Sequence, residues 1–231
     1  MKTKDLNLGK EKDMSKSIIV ISVVMAVLIT ACGDLDVTRK DAVVSFGIVS
    51  EAAPIEEYEA NRWKLTAPDG NAWFFFDNMG IGMAVDAAPF IDAGLNLSML
   101  DNVGEHNLNP GKESIYFSTP SIDMLNQNVK ETALEQFEAN IGSLRKYLGF
   151  HAAGDHHAIE FGNGDSFEWA RDMTTNQTND TPQDKDIVFA LNPQPLIDAG
   201  VDVENIEGWS YVTLQMMGES IPKLVKAFDL G

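Results

Sequence analysis

Pro89-Phe90-Ile91-Asp92-Ala93-Gly94-Leu95-Asn96-Leu97 recurs later in the chain as Pro195-Leu196-Ile197-Asp198-Ala199-Gly200-Val201-Asp202-Val203, with Leu100 and Ile206 matching three residues further on. Five of the nine positions are identical and the rest are conservative, a pattern that predicts an internal duplication.

Working backwards from this anchor, Leu65-Thr66-Ala67-Pro68-Asp69-Gly70-Asn71-Ala72-Trp73-Phe74-Phe75 lies over Ile159-Glu160-Phe161-Gly162-Asn163-Gly164-Asp165-Ser166-Phe167-Glu168-Trp169. Asp-Gly and Asn-Gly between alternating apolar residues predict a hairpin in each copy, because those residues accept the backbone of a tight turn. A third strand follows, Ile81 to Val85 and Ile187 to Leu191, and runs into the Pro-x-Ile-Asp-Ala-Gly turn.

Working forwards, Ser114 to Phe117 and Tyr211 to Leu214 read as fourth strands. Thr119-Pro120 can open a helix that presents Ile122, Leu125, Val129, Ala133, Phe137, Ile141, Leu144 and Leu148 at spacings of three and four and stops at Gly149. A shorter helix is expected from Ser220, with Pro222 in its first turn and Ile221, Leu224, Val225, Phe228 and Leu230 on one side. The expected fold is α+β: a duplicated four-strand-plus-helix unit forming antiparallel sheet, with the helices packed on one face. Residues 41–149 and 150–231 are the two halves of one compact domain, since a unit with one helix would leave much of its sheet uncovered.

The run Trp73-Phe74-Phe75-Phe76 would point Trp73 and Phe75 to one side of a strand, and Phe74 and Phe76 to the other. The alignment above puts Phe167 and Trp169 with the first pair and Glu168 and Ala170 with the second. On that reading one copy has made an outer face apolar, and Phe74 and Phe76, with Trp73, mark a candidate ligand-binding surface. Cover by an extra N-terminal strand, Val43 to Val49, is the competing expectation.

His151, Asp155, His156 and His157 are the one cluster with metal-ligand chemistry, although adjacent strand residues point oppositely and could not all reach a single ion. Asp92, Gly94, Asp198 and Gly200 are expected to build turns, the Asp carboxylates accepting backbone N–H groups. Asp198, Asp202 and Glu204 could instead hold Ca²⁺, but they lack the order of a known calcium loop. Gly162-Asn163-Gly164 sits in a hairpin rather than between strand and helix, so it does not read as a phosphate loop. No nucleophile elbow, zinc-protease or dithiol motif occurs, and no cofactor is implied. Met173 to Lys185 is a polar insertion confined to the second copy.

The chain carries 17 Lys and Arg against 35 Asp and Glu, a net charge of −18. That balance argues against nucleic acid as a partner and leaves room for cationic ligands or basic proteins. From Ile18 to Ile29 it is apolar apart from Ser22, too short to span a bilayer core that needs about 20 residues. Cys32, the single cysteine, follows directly in Ile29-Thr30-Ala31-Cys32, which resembles the bacterial lipobox. The resemblance implies cleavage before Cys32 and lipidation of its thiol. Residues 1–31 would then be a lipoprotein signal peptide and 32–40 a short tether holding the domain to a bilayer on the extracytoplasmic side of the cell envelope. Met14 is an alternative start. The expected role is a non-catalytic binding or accessory protein for a small molecule or protein partner. A metal-dependent or metal-binding protein using the histidine cluster, and a structural envelope protein, are the alternatives.

Overall fold

A computed structural model describes residues 35–118, 130–144, 150–153, 156–170, 186–216 and 219–230. Its class is α+β, with two antiparallel sheets and accompanying helices. The apolar segment Ile18 to Ile29, Cys32, Asp155 and the 173–185 insertion lie outside the described residues. No helix among the described residues is long and apolar enough to cross a membrane.

The first sheet contains β1 (Ile55–Glu59), β2 (Arg62–Thr66), β3 (Ala72–Phe76), β4 (Ile81–Asp86), β5 (Val103–Glu105) and β6 (Glu113–Ser118) in the order β1-β2-β3-β4-β6-β5. A short helix, α2 (Ala88–Asp92), leaves β4. The second sheet contains β7 (Phe150–Ala153), β8 (His156–Gly162), β9 (Asp165–Ala170), β10 (Ile187–Leu191), β11 (Ser210–Met216) and β12 (Glu219–Phe228), with α4 (Gln194–Asp198) leaving β10. Its order, β7-β8-β9-β10-β12-β11, repeats the connectivity of the first sheet strand for strand.

Several elements differ from the expectation, and at β12 and α1 contacts distant in sequence overrule a local pattern. Ser220 to Leu230 does not form a helix: β12 runs through Glu219–Phe228 and pairs with both β10 and β11. Lys226, on the inward side opposite Phe189, broke the alternation by which a strand would have been recognised. Accordingly β12, not the Tyr211 strand, occupies the place of β6, and each half has six strands rather than four.

The N-terminal segment is α1 (Leu35–Ala52), not a strand at Val43 to Val49, and it takes up much of the expected tether. Its β-branched residues favour a strand locally, but Ala42, Ser45, Phe46, Val49 and Ala53 are buried at spacings of three and four, a helical stripe. The expected start at Thr119-Pro120, with Ile122, Leu125 and Val129, and the expected end at Leu148-Gly149 lie outside the described residues; within them the central helix is α3 (Ala133–Ser143), with Thr132 as its N-cap. Thr132 Oγ1 accepts from Glu135 N while the Glu135 carboxylate accepts from Thr132 N, a capping box that satisfies two otherwise unpaired donors. Arg39 of α1 donates to the carbonyls of Gly142 and Leu144, which closes the other end of α3.

One apolar core joins both sheets and both longer helices. Phe46 stacks on Phe137 at 4.0 Å and meets Phe74, Phe76 and Trp169 edge-on or nearly so. Phe74 of the first sheet stacks on Phe167 of the second at 4.1 Å. Trp169 Nε1 donates to the Ala42 carbonyl, so the buried indole leaves no polar group unsatisfied.

The two repeated turns meet back to back. In each, a glycine with positive φ, Gly94 at 105° and Gly200 at 94°, ends the short helix. Gly94 N and Leu95 N donate to the carbonyls of Ile91 and Phe90, and Gly200 N and Val201 N to those of Ile197 and Leu196. This is the paired bonding that closes a helix at glycine. Asn96 N then donates to Ala199 O at 2.9 Å and Asp202 N to Ala93 O at 2.8 Å, a reciprocal pair across the two halves.

Candidate functional site

Strand pairing places the aromatic run differently from the sequence alignment. Phe74 pairs with Met83, and Phe167 with Phe189; Met83 and Phe189 hold equivalent places before Pro89 and Pro195. Phe74 therefore corresponds to Phe167 and Phe76 to Trp169, because connection 67–72 is one residue longer than connection 161–165. A one-residue slip exchanges the two faces of a strand. Phe74 and Phe76 are inward-facing core residues with 0% exposure, covered by Phe46 and Phe137 rather than by a strand, and they present no open surface.

The apolar outer pair is Trp73 and Phe75, where the second sheet has Ser166 and Glu168. Trp73 packs with Leu108 and Ala84, and Tyr58 and Tyr116 border the cluster. His106 lies 5.2 Å from the Phe75 ring. Burial lowers the His106 pKa, and burial followed by the Asp77 charge raises Tyr58 to about 12. The chain thus roofs this face with its own side chains.

Of the candidate metal ligands, Asp155 lies outside the described residues, and strand pairing places the three histidines on neighbouring strands. His157 is buried and stacks on Trp169, with ring centroids 5.5 Å apart. His151 pairs in the ladder with Ala158, and His156 with Ala153. Among the described residues no group of three His, Cys, Asp or Glu could hold a metal ion.

At the repeated turns the expected Asp roles fall on other residues. Asp198 is exposed and accepts from the Gln194 side chain, and the Asp92 carboxylate is likewise exposed, so the glycines and backbone bonds make these turns. The polar side chains that accept backbone N–H groups sit six residues earlier, one position ahead of each N-cap: Asp86 Oδ1 accepts from Ala88 N, and Asn192 Oδ1 from Gln194 N. Asp202 accepts from Glu204 N and from Asn205 Nδ2, which ties it into its own loop. The matching Asp86 and Asn192 were visible in the sequence as short polar residues ahead of Pro89 and Pro195.

The open feature lies where the halves meet. A cleft of about 490 Å³ is bounded by Met99 to Asn102 and Ile115 to Ser118 of the first half. Phe161, Asn163, Asp165, Leu191, Asn192, Pro195 and Leu196 of the second half close it opposite. Asp165 sits in its wall at 8% exposure, with Oδ1 accepting from Asn192 N at 2.8 Å. Burial pushes the Asp165 carboxyl up to about 6, against the opposing effects of the Asn192 N–H and the Lys223 ammonium. Asp101 adds a second carboxylate at the exposed rim, and among the described residues no Lys or Arg lines the cleft. Sequence patterning gave no signal for Asp165, because its equivalent in the first hairpin is Ala72.

The corresponding place at the other junction of the halves is filled. Ladder positions equate Phe117 with Lys226, which pair with Met83 and Phe189 respectively. Lys226 is buried, and its Nζ donates to Asp69 Oδ2 in the turn equivalent to that of Asn163. The ammonium also lies 5.5 Å from the Trp209 ring and 5.9 Å from that of Phe228. Trp209 packs on Phe90, the equivalent of Leu196. Among the described residues one junction is therefore plugged by Lys226 and Trp209, whereas the other is an open cleft.

The buried carboxylate has a measurable consequence. Its folded pKa lies above that of the unfolded chain, so ionising Asp165 costs stability above pH 6, and this cost fades as the pH falls toward the unfolded value. Asp165→Asn keeps an acceptor for Asn192 N and cannot ionise. In urea melts it is expected to be more stable than wild type at pH 7.5 by on the order of 2–3 kcal/mol, with the difference closing near about pH 4. A wild type that is the more stable partner at pH 7.5 would contradict this account.

Comparison with protein-family models, with characterised proteins and with solved structures found no match for this chain.

Proposed function

We propose that this chain is a lipid-anchored, extracytoplasmic, non-catalytic binding protein of a bacterial envelope, built by duplication of one sheet-and-short-helix unit, which captures a small ligand in the cleft between its halves. The observation that carries this reading is the inequality of the two junctions. The same backbone arrangement is filled by Lys226 and Trp209 at one and open beside a buried carboxylate at the other. A buried acid with an unsealed approach costs stability unless something uses it, and such groups concentrate at sites of function. The size of the cleft suits a small molecule. Duplication is supported by the repeated sequence, the matching strand order and the reciprocal turn contacts.

Asp101 holds the ladder place of Trp209 and is exposed, so Asp101→Trp would copy the plug of the filled junction without disturbing the core. Native mass spectra of the chain purified gently from membranes are expected to show a non-covalent small-molecule adduct in wild type and none in Asp101→Trp. An adduct retained at equal occupancy in the variant would place binding elsewhere, and a bare wild type would count against capture in this cleft.

Lipid anchoring is supported by the apolar segment ending at Ile29-Thr30-Ala31-Cys32. On detergent phase partitioning the wild-type chain should enter the detergent-rich phase, and Cys32→Ser the aqueous phase. Equal partitioning of both would remove the thiol-linked anchor from the reading.

A further inference from the structure

We propose that the open cleft receives a primary alkylammonium group, the chemistry with which the chain fills its own equivalent junction. The inference rests on the reading of this cleft as a binding site and names what it binds.

The filled junction shows how the fold accommodates such a group. The Lys226 alkyl stem runs inward from β12, with the side chain 3% exposed, and delivers its ammonium to Asp69 while Trp209 and Phe228 flank it. An ammonium held by a carboxylate and bordered by aromatic rings keeps its charge satisfied as water is removed. In the open cleft the covalent ammonium is missing, because Phe117 stands at the position of Lys226. The anionic partner is retained in another form: Asp165 supplies a buried carboxylate in the same hairpin that carries Asn163, and Phe161 and Phe117 supply aromatic walls. Asp165 takes its one backbone hydrogen bond on Oδ1, from Asn192. No ion pair to this carboxylate is formed among the described residues: the Lys223 ammonium, whose charge reaches Asp165, donates instead to the Gly164 carbonyl. A free alkylamine and a peptide-borne lysine side chain share the required chemistry: a short apolar stem ending in three N–H donors.

The test uses the full chain in detergent at neutral pH, with pentan-1-amine as probe and pentan-1-ol as a control of equal stem length without charge. Calorimetric titration should detect the amine, with the alcohol at least tenfold weaker. Asp165→Asn should weaken the amine at least tenfold. Phe117→Lys, which installs in the open cleft the tether of the filled one, should abolish amine binding. Using two variants guards against a folding defect in either, with a cooperative thermal melt required of the one interpreted. Nα-acetyl-lysine amide, added in competition, distinguishes the sources: tighter binding than pentan-1-amine points to a lysyl side chain in a peptide, and weaker binding to a free amine.

Equal binding of amine and alcohol, or unchanged amine binding in a folded Asp165→Asn or Phe117→Lys chain, would overturn the proposal. So would a wild type that binds no amine. If a native adduct sensitive to Asp101→Trp is still present in that case, the cleft remains a binding site for some other chemistry. If that adduct is also missing, the site itself is lost.

Discussion

Gly94→Ala is expected to destabilise the fold by about 3–5 kcal/mol, among the largest single-residue effects in the chain. Gly94 has φ of 105°, where an L side chain is strained, and a Cβ there would stand 2.8 Å from the Gly200 carbonyl oxygen. That neighbour is backbone and cannot rotate away. Moving it would disturb the reciprocal bonds from Asn96 N to Ala199 O and from Asp202 N to Ala93 O, which join the halves. Gly200→Ala should behave similarly but more mildly, its Cβ lying 3.2 Å from the Gly94 oxygen. Gly111 separates the two causes: its φ is 77°, yet nothing lies within 4 Å of an added Cβ. Gly111→Ala should therefore show the backbone strain alone, about 1–2 kcal/mol. Urea denaturation of the three variants checks the argument, and a Gly94→Ala cost no greater than that of Gly111→Ala would refute the close approach of the turns.

Phe46→Ala should cost a comparable 3–5 kcal/mol. Its ring touches Phe74 and Phe76 from the first sheet, Trp169 from the second and Phe137 from α3, so truncation opens a cavity bordered by all three layers. The surrounding side chains are fully buried and held by several elements at once, which limits the collapse that could refill it. Val44, two residues away on the same helix, is 57% exposed, and Val44→Ala should stay within about 0.5 kcal/mol. Denaturation followed by tryptophan fluorescence compares them. Equal stability of the two variants would mean that α1 is an appendage rather than a part of the core.

These two sites also show how far the sequence could be read. The turn at the repeat was legible because its information is local, the same residues recurring within nine positions, twice over, but the short helices that lead into it and the glycine and backbone bonds that close them were not expected. The third strands and both hairpins were legible for the same reason, their alternation and turn residues lying side by side in the chain. The aromatic run was recognised as unusual, but the face to which it belonged was not. A difference of one residue in hairpin length carried Phe74 and Phe76 from the supposed outer surface into the core, and only the pairing with β4 reveals that slip.

The candidate site was further out of reach. Asp165 looks like any hairpin acid until the halves close around it, and Lys226 made a true strand resemble a helix because its charge is satisfied by Asp69, far away in sequence. Phe46 lay in a segment with the local preferences of a strand, and helix formation there follows from the stripe it buries against two sheets and α3. By itself, then, the sequence determined the repeated turns, most of the strands and the acidic character of the chain, since each depends on neighbouring residues or on composition. The tertiary structure alone decided which faces are buried, which N-terminal conformation covers them, and which junction is left open, because burial and charge pairing are settled between residues that the chain brings together only when it folds.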